Sequence, residues 1–189
     1  MAAEDIPLEK TEDKPMIVAK SLVLVNTGDG KGKSTAAFGT VLRAVAQEWP
    51  VAVVQFLKSG DWGVGEEKIC RDLGVDWYAA GSGFTWDSED IDETAAIAAA
   101  AWGLAKAKIQ SGEYRLVVLD EISYAATWGW IETDDVVATL VGRPEKTSVI
   151  LTGRSMPQPI VEVSDTVTEM VPIKHAFDKG IVAKKGIDY

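Results

Sequence analysis

From about residue 21 onward, short apolar runs alternate with stretches whose apolar residues recur at helical spacing. SLVLVN (21–26) and VAVVQFL (51–57) are continuous and rich in β-branched residues, the pattern of strands buried on both faces. VDWYAA (75–80), YRLVVLDE (114–121), TSVILTG (147–153) and TVTEMVPI (166–173) predict four more strands. Between them lie helical segments. In 33–48, Phe38, Val41, Leu42 and Val45 fall on one face. GEEKICRDLG (65–74) predicts a short helix. Residues 87–112 open on acids and close on Lys106, Lys108 and Gly112, which suits the helix dipole and a glycine cap. TDDVVATLVGRP (133–144) predicts a helix that opens at Thr133 and stops before Pro144, and PQPIVEVSD (157–165) has room for one more. Strands alternating with helices imply a mostly parallel sheet covered by helices on both faces, an α/β fold. Residues 1–20, broken by Pro7 and Pro15, read as a flexible N-terminal arm, and 21–189 as a single domain.

The totals narrow this picture. The chain has 189 residues, one cysteine and a formal net charge of −10. That charge disfavours non-specific nucleic-acid binding. Cys70 alone can form no intrachain disulfide and reads as a packed thiol. The N-terminus lacks the apolar centre of a signal peptide, and the run AAIAAAAWGLA (95–105) is too short to span a bilayer. The expectation is a cytoplasmic protein with no membrane partner.

Chemistry concentrates first in TGDGKGKST (27–35), between a strand and a helix. Gly32, Lys33 and Ser34 supply the end of the G-x-x-x-x-G-K-[ST] phosphate loop, with Thr27 where the first glycine usually stands. Glycines at 28, 30 and 32 let successive N–H groups of Thr27, Gly28, Asp29, Gly30, Lys31 and Thr35 line an anion nest at a helix start. Lys33 adds a charge on the phosphates, and the Ser34 hydroxyl is placed to bind Mg²⁺. LVVLDE (116–121) then delivers Asp120 and Glu121 to the same sheet edge, where one of the two should reach the metal. The pair of motifs defines a P-loop NTPase-like fold, RecA-like, binding a nucleoside triphosphate. No guanine-reading NKxD is present, so ATP is expected.

Other residues carry two readings each. Phe84 and Trp86 in AAGSGFTWDSED (79–90) are core packing or ligand cover. Arg154 in LTGR holds phosphate oxygens or forms a surface ion pair. Tyr124 and Trp128 line a ligand pocket, or are core. His175, the only histidine, packs or caps rather than ligating a metal.

The motifs TGDGKGKSTAAFGT, VVQFLK, GSGFTWDSED, VVLDEISY, ILTGR and the tail SDTVTEMVPIKHAFDKGIVAKKGIDY, in this order, resemble the P-loop ATP:corrinoid adenosyltransferases over residues 21–189. The resemblance implies that the bond broken is at the ribose 5′-carbon. A Co(I) corrinoid attacks it, and triphosphate leaves whole. It implies Lys33 and Glu121 in catalysis, Ser34 and Glu121 on Mg²⁺ (or Mn²⁺) with Asp120 behind them, and Phe84 and Trp86 excluding the lower axial ligand of cobalt. It also implies an electron-donating reductase as partner and a homodimer. The competing expectations are a phosphotransferase or ATPase that cuts at the γ-phosphate, and a non-catalytic corrinoid carrier.

Overall fold

The computed structural model describes residues 17–56, 65–79 and 91–188. Within them the chain forms β1 (Val23–Thr27), α1 (Lys33–Val45), β2 (Val51–Gln55), α2 (Gly65–Asp72), β3 (Asp76–Ala79), α3 (Ile91–Ser111) and β4 (Leu116–Asp120). It continues through α4 (Ile122–Thr127), α5 (Thr133–Val141), β5 (Ser148–Thr152), α6 (Gln158–Glu162) and β6 (Thr166–Glu169) to a 3₁₀ turn at Ala176–Lys179. The strands make one sheet in the order β3-β2-β4-β5-β1-β6, every neighbouring pair parallel. All six predicted strands are present, and the α/β class is as the pattern implies.

The continuous apolar runs lie at the centre. Every residue of β2, β4 and β5 is buried, because each of these strands has a neighbour on both sides and helices above and below. Alternate residues face opposite layers. Val117 and Leu119 join a core with Ala98, Ala105 and Ile109 of α3 and Leu140 of α5. Leu116 and Val118 face Ala37, Phe38 and Val41 of α1 and Trp77 of β3. Small residues on α3 seat that helix close to the sheet, and Gly112, left-handed at φ 69°, ends it as predicted. Edge strand β6 is fully exposed and mostly polar, which keeps its free side from pairing further.

Four details depart from the pattern. Leu42 is half-exposed; the buried face of α1 runs through Ala37, Phe38, Val41 and Ala44, with Val45 at its margin. Strand β6 ends at Glu169 rather than residue 173, because Pro172 offers no N–H and restrains Val171. Strand β4 ends at Asp120, since Glu121 turns into the left-handed region at φ 62°. The helix α4 that follows was not predicted.

Candidate functional site at the carboxyl edge of the sheet

Because the strands are parallel, β1, β4 and β5 end on one edge, and they end in Thr27, Asp120 and Thr152. Residues 28–32 span from β1 to α1. Gly28 and Gly32 are left-handed, at φ 91° and 110°, and Gly32 caps α1 without a side chain. Gly30 is required by contact: its N–H donates to the Met170 carbonyl at 2.7 Å, and an added Cβ would lie 2.7 Å from that oxygen. The Met170 N–H donates in turn to the Thr27 carbonyl at 2.8 Å. The loop is therefore clamped to the chain that leaves β6.

Lys33 arches back over this loop. Its ammonium donates to the carbonyls of Gly28 at 2.8 Å and Gly30 at 2.7 Å, and the residue is buried. Burial pushes its pKa down, and the nearby Glu121 carboxylate works against that shift. Asn26 braces the turn by donating to the Lys33 carbonyl at 3.1 Å. The Thr27 hydroxyl accepts from the Met156 N–H at 3.3 Å, tying the loop to the segment after β5.

The two acids at the end of β4 occupy different positions. Asp120 is wholly buried; one oxygen accepts from Gln55 Nε2 at 2.9 Å and the other from Thr152 Oγ1 at 2.8 Å. The Thr152 hydroxyl then accepts the Glu121 N–H at 2.9 Å. Three strands thus hold one carboxylate, and through Thr152 it fixes the backbone of the next. Glu121 sits in a strained left-handed conformation, half-buried, and its charge is felt at both Lys33 and Tyr124. Asp120 is thus fully engaged within the sheet, while Glu121 is the acid whose charge reaches Lys33.

Arg154 follows β5, and its Nε lies 3.9 Å from Asp29 of the loop, with both side chains more than half exposed. Such a pair is weak and easily exchanged for another anion. Arg154, Asp29 and Lys31 line a cavity of about 410 Å³ together with Lys174 and His175 from the tail. His175 has the capping role: its Nδ1 accepts from the Phe177 N–H at 3.1 Å, and Asp178 accepts from the His175 N–H at 3.1 Å.

Tyr124, Trp128 and Trp130 form an aromatic row, with ring centroids 5.3 and 4.7 Å apart. Burial, then the charge of Glu121, pushes the Tyr124 hydroxyl up. Trp130 was passed over in the sequence; the only signal for it was its nearness to the acidic strand. Ser34 and Thr35 open α1 beside the loop. Cys70 is buried, and burial raises its pKa, so it is a packed thiol and not a nucleophile. Phe84 and Trp86 lie outside the described residues.

Among the described residues no group of three or more His, Cys, Asp or Glu is placed to hold a metal. The donors at the edge, a serine hydroxyl and one forward carboxylate, are hard oxygens that leave most coordination positions to phosphate and water. That set fits Mg²⁺. No helix among the described residues is long and apolar enough to cross a membrane.

A parallel α/β sheet with a glycine loop around a buried lysine, and an acid-ended strand beside it, defines the P-loop nucleotide-binding class. Within that class, residues 19–189 match the family model for ATP:corrinoid adenosyltransferase BtuR/CobO/CobP, and the chain belongs to this family. It is 41% identical to a corrinoid adenosyltransferase of Escherichia coli K12 over 170 residues, covering 90% of this chain and 86% of the relative. A corrinoid adenosyltransferase of Sinorhizobium is 41% identical over 192 residues, covering all of this chain and 86% of its own length. One from Pseudomonas aeruginosa is 42% identical over 172 residues, covering 90% and 84%. The chain is accordingly a transferase whose substrates are ATP and a corrinoid.

Proposed function

We propose that residues 27–35 hold the triphosphate of ATP as a leaving group, while a corrinoid in the Co(I) state attacks the ribose 5′-carbon. The cobalt–carbon bond forms as the bond from C5′ to the phosphate oxygen breaks. The electron pair of that bond leaves with inorganic triphosphate, and cobalt becomes Co(III). The observation that carries this reading is the buried Lys33, curled over the carbonyls of Gly28 and Gly30 at the edge where Glu121 stands forward. Its ammonium and the loop N–H groups, apart from that of Gly30, which the Met170 carbonyl already takes, are suited to a polyanion.

The nucleophile belongs to the substrate, so the protein needs no activated side chain or general base for this step. Its work is alignment and charge. The reacting atoms must be held about 3–3.5 Å apart and in line. Lys31, Lys33 and Arg154 face the charge of triphosphate. Mg²⁺ or Mn²⁺, held by Ser34 and Glu121, would further offset that charge when bound. Asp120 supports Glu121 through Thr152. Phe84 and Trp86 would exclude the lower axial ligand of cobalt, which eases its reduction by a partner reductase. Residues 21–189 would act as one nucleotide- and corrinoid-binding unit, in a cytoplasmic homodimer.

The test is anaerobic. Protein, Mg–ATP, a corrinoid and a strong reductant are mixed, and both products are assayed. A light-sensitive cobalt–carbon bond with equimolar triphosphate is expected. ADP and phosphate without that bond would sink the reading in favour of cleavage at the γ-phosphate.

A further inference from the structure

The chain beyond β6 is exposed along nearly all of its length, yet it returns to the phosphate loop. It starts from Met170, whose carbonyl holds the Gly30 N–H. It comes back at Asp188, whose carboxylate is ion-paired with Lys31, the next residue of the same loop. The other Asp188 oxygen accepts the Lys184 N–H at 2.7 Å. A short turn sets this up, with the N–H groups of Ile187 and Asp188 donating to the Lys184 carbonyl at 3.0 and 2.8 Å. The Asp188 side chain is only 19% exposed while that of Lys31 is 54% exposed. The Lys184 N–H, then Lys31, hold its carboxyl below the usual carboxylate range.

A carboxylate seated between a loop lysine and a backbone N–H stands where an oxygen of a bound phosphate would be favoured. We propose that Asp188 is a built-in competitor for triphosphate on Lys31, so that the end of this strap lifts when nucleotide occupies the loop and reseats when triphosphate departs. The inference rests on the reading of residues 27–35 as the triphosphate holder. Tethering gives the carboxylate an effective concentration on the order of millimolar at Lys31. With its lysine more than half exposed, the pair is screened by solvent and weak enough for a polyanion to displace it. It is also strong enough to speed the exit of a leaving group that the loop would otherwise retain.

The experiment is a set of titrations of the full chain with inorganic triphosphate and with Mg–ATP at low salt. It compares the wild type, Asp188→Asn, Lys31→Met and the double variant. Asp188→Asn should bind triphosphate about 1.5- to fivefold more tightly, the scale of a solvent-screened ion pair with one charge removed. The gain should vanish in the Lys31→Met background. Amide exchange at residues 184–188 of the wild type should quicken when triphosphate is added. Equal or weaker binding by Asp188→Asn, or a gain that persists without Lys31, would overturn the proposal. Failure of the wild type to bind triphosphate at all would remove the loop reading as well, whereas binding that ignores Asp188 removes only the strap.

Discussion

At the scale of single residues, the proposed site divides into groups that would touch ligand and groups that hold them. Gly30 belongs to the second kind. A methyl there would meet the Met170 carbonyl at 2.7 Å, a backbone atom that cannot swing aside. Gly30→Ala should weaken Mg–ATP binding at least tenfold while the far-ultraviolet circular dichroism stays native; an unchanged titration would mean that the tail yields instead. Asp120 and Glu121 should part in the same way. In Asp120→Asn the new amide turns an NH₂ toward Gln55 or Thr152, both already donors to that site. A lost acceptor in a buried position costs about 1–3 kcal/mol, so this variant should unfold at lower denaturant. Glu121→Gln should keep its stability and lose turnover, by about a hundredfold if the carboxylate carries charge to the reaction. Equal stability losses in the two variants would contradict the division of roles. The residue types of both motifs were legible in the sequence. The motif alone left open which acid stands forward, and only the family resemblance put Glu121 ahead of Asp120. Gln55 and Thr152, the groups that bury Asp120, lie on different strands and leave no local signal.

At the scale of elements, burial on both faces explains why the sequence pattern worked. VAVVQ, LVVLD and SVILT are continuous because helices cover each face of their strands. Their order in the sheet left no such trace, since parallel neighbours are chosen by crossover packing rather than by local pattern. Helix α4 was missed for a related reason. It has six residues, too short for a helical period to stand out, and it opens on the left-handed Glu121 instead of a capping side chain. Leu42 was misassigned because three other apolar residues shared its face by spacing, while the tertiary groove between α1 and α2 left it half-exposed. The layering makes a clean prediction at β4. Leu119 is wholly buried in the layer of α3 and α5, with no polar role. Leu119→Ala should cost about 3 kcal/mol, the range for a buried leucine whose cavity does not collapse. The check is the urea midpoint at unchanged m-value. A loss under about 1 kcal/mol would show that the layer repacks around the gap.

At the scale of the whole molecule, the edge that carries the glycine loop is one end of the sheet and a second polar cluster marks the other. Tyr114 stands just before β4, and its hydroxyl donates to Asp76 of β3 at 2.5 Å. Lys108 of α3 donates to the same hydroxyl at 3.3 Å, and its ammonium lies 4.9 Å from the centre of the Tyr78 ring. The cluster ties α3 to edge strand β3 and to the entry of β4, far from the phosphate loop. Burial, then the hydrogen bond to Asp76, pushes the Tyr114 hydroxyl up from 10.0 to about 12. The neighbouring Tyr78 and Tyr114 hydroxyls raise Lys108 as well. A raised folded-state value means that the folded chain keeps its proton more tightly than the unfolded chain does. The stabilisation is therefore complete below the unfolded value of 10.0 and is lost as pH rises toward about 12. Tyr114→Phe should be less stable than the wild type at neutral pH, because it lacks the bond to Asp76. The difference should shrink between pH 10 and about 12 as the wild-type hydroxyl ionises. Thermal midpoints of both chains across that range make the check, and a gap that stays constant would place the stabilisation in ring packing alone. Adenosyl transfer measured at neutral pH should be the same in both chains, since the cluster and the phosphate loop sit at opposite ends of a rigid parallel sheet. A Tyr114→Phe chain that loses turnover without losing stability would instead mean that α3 transmits strain from one edge to the other.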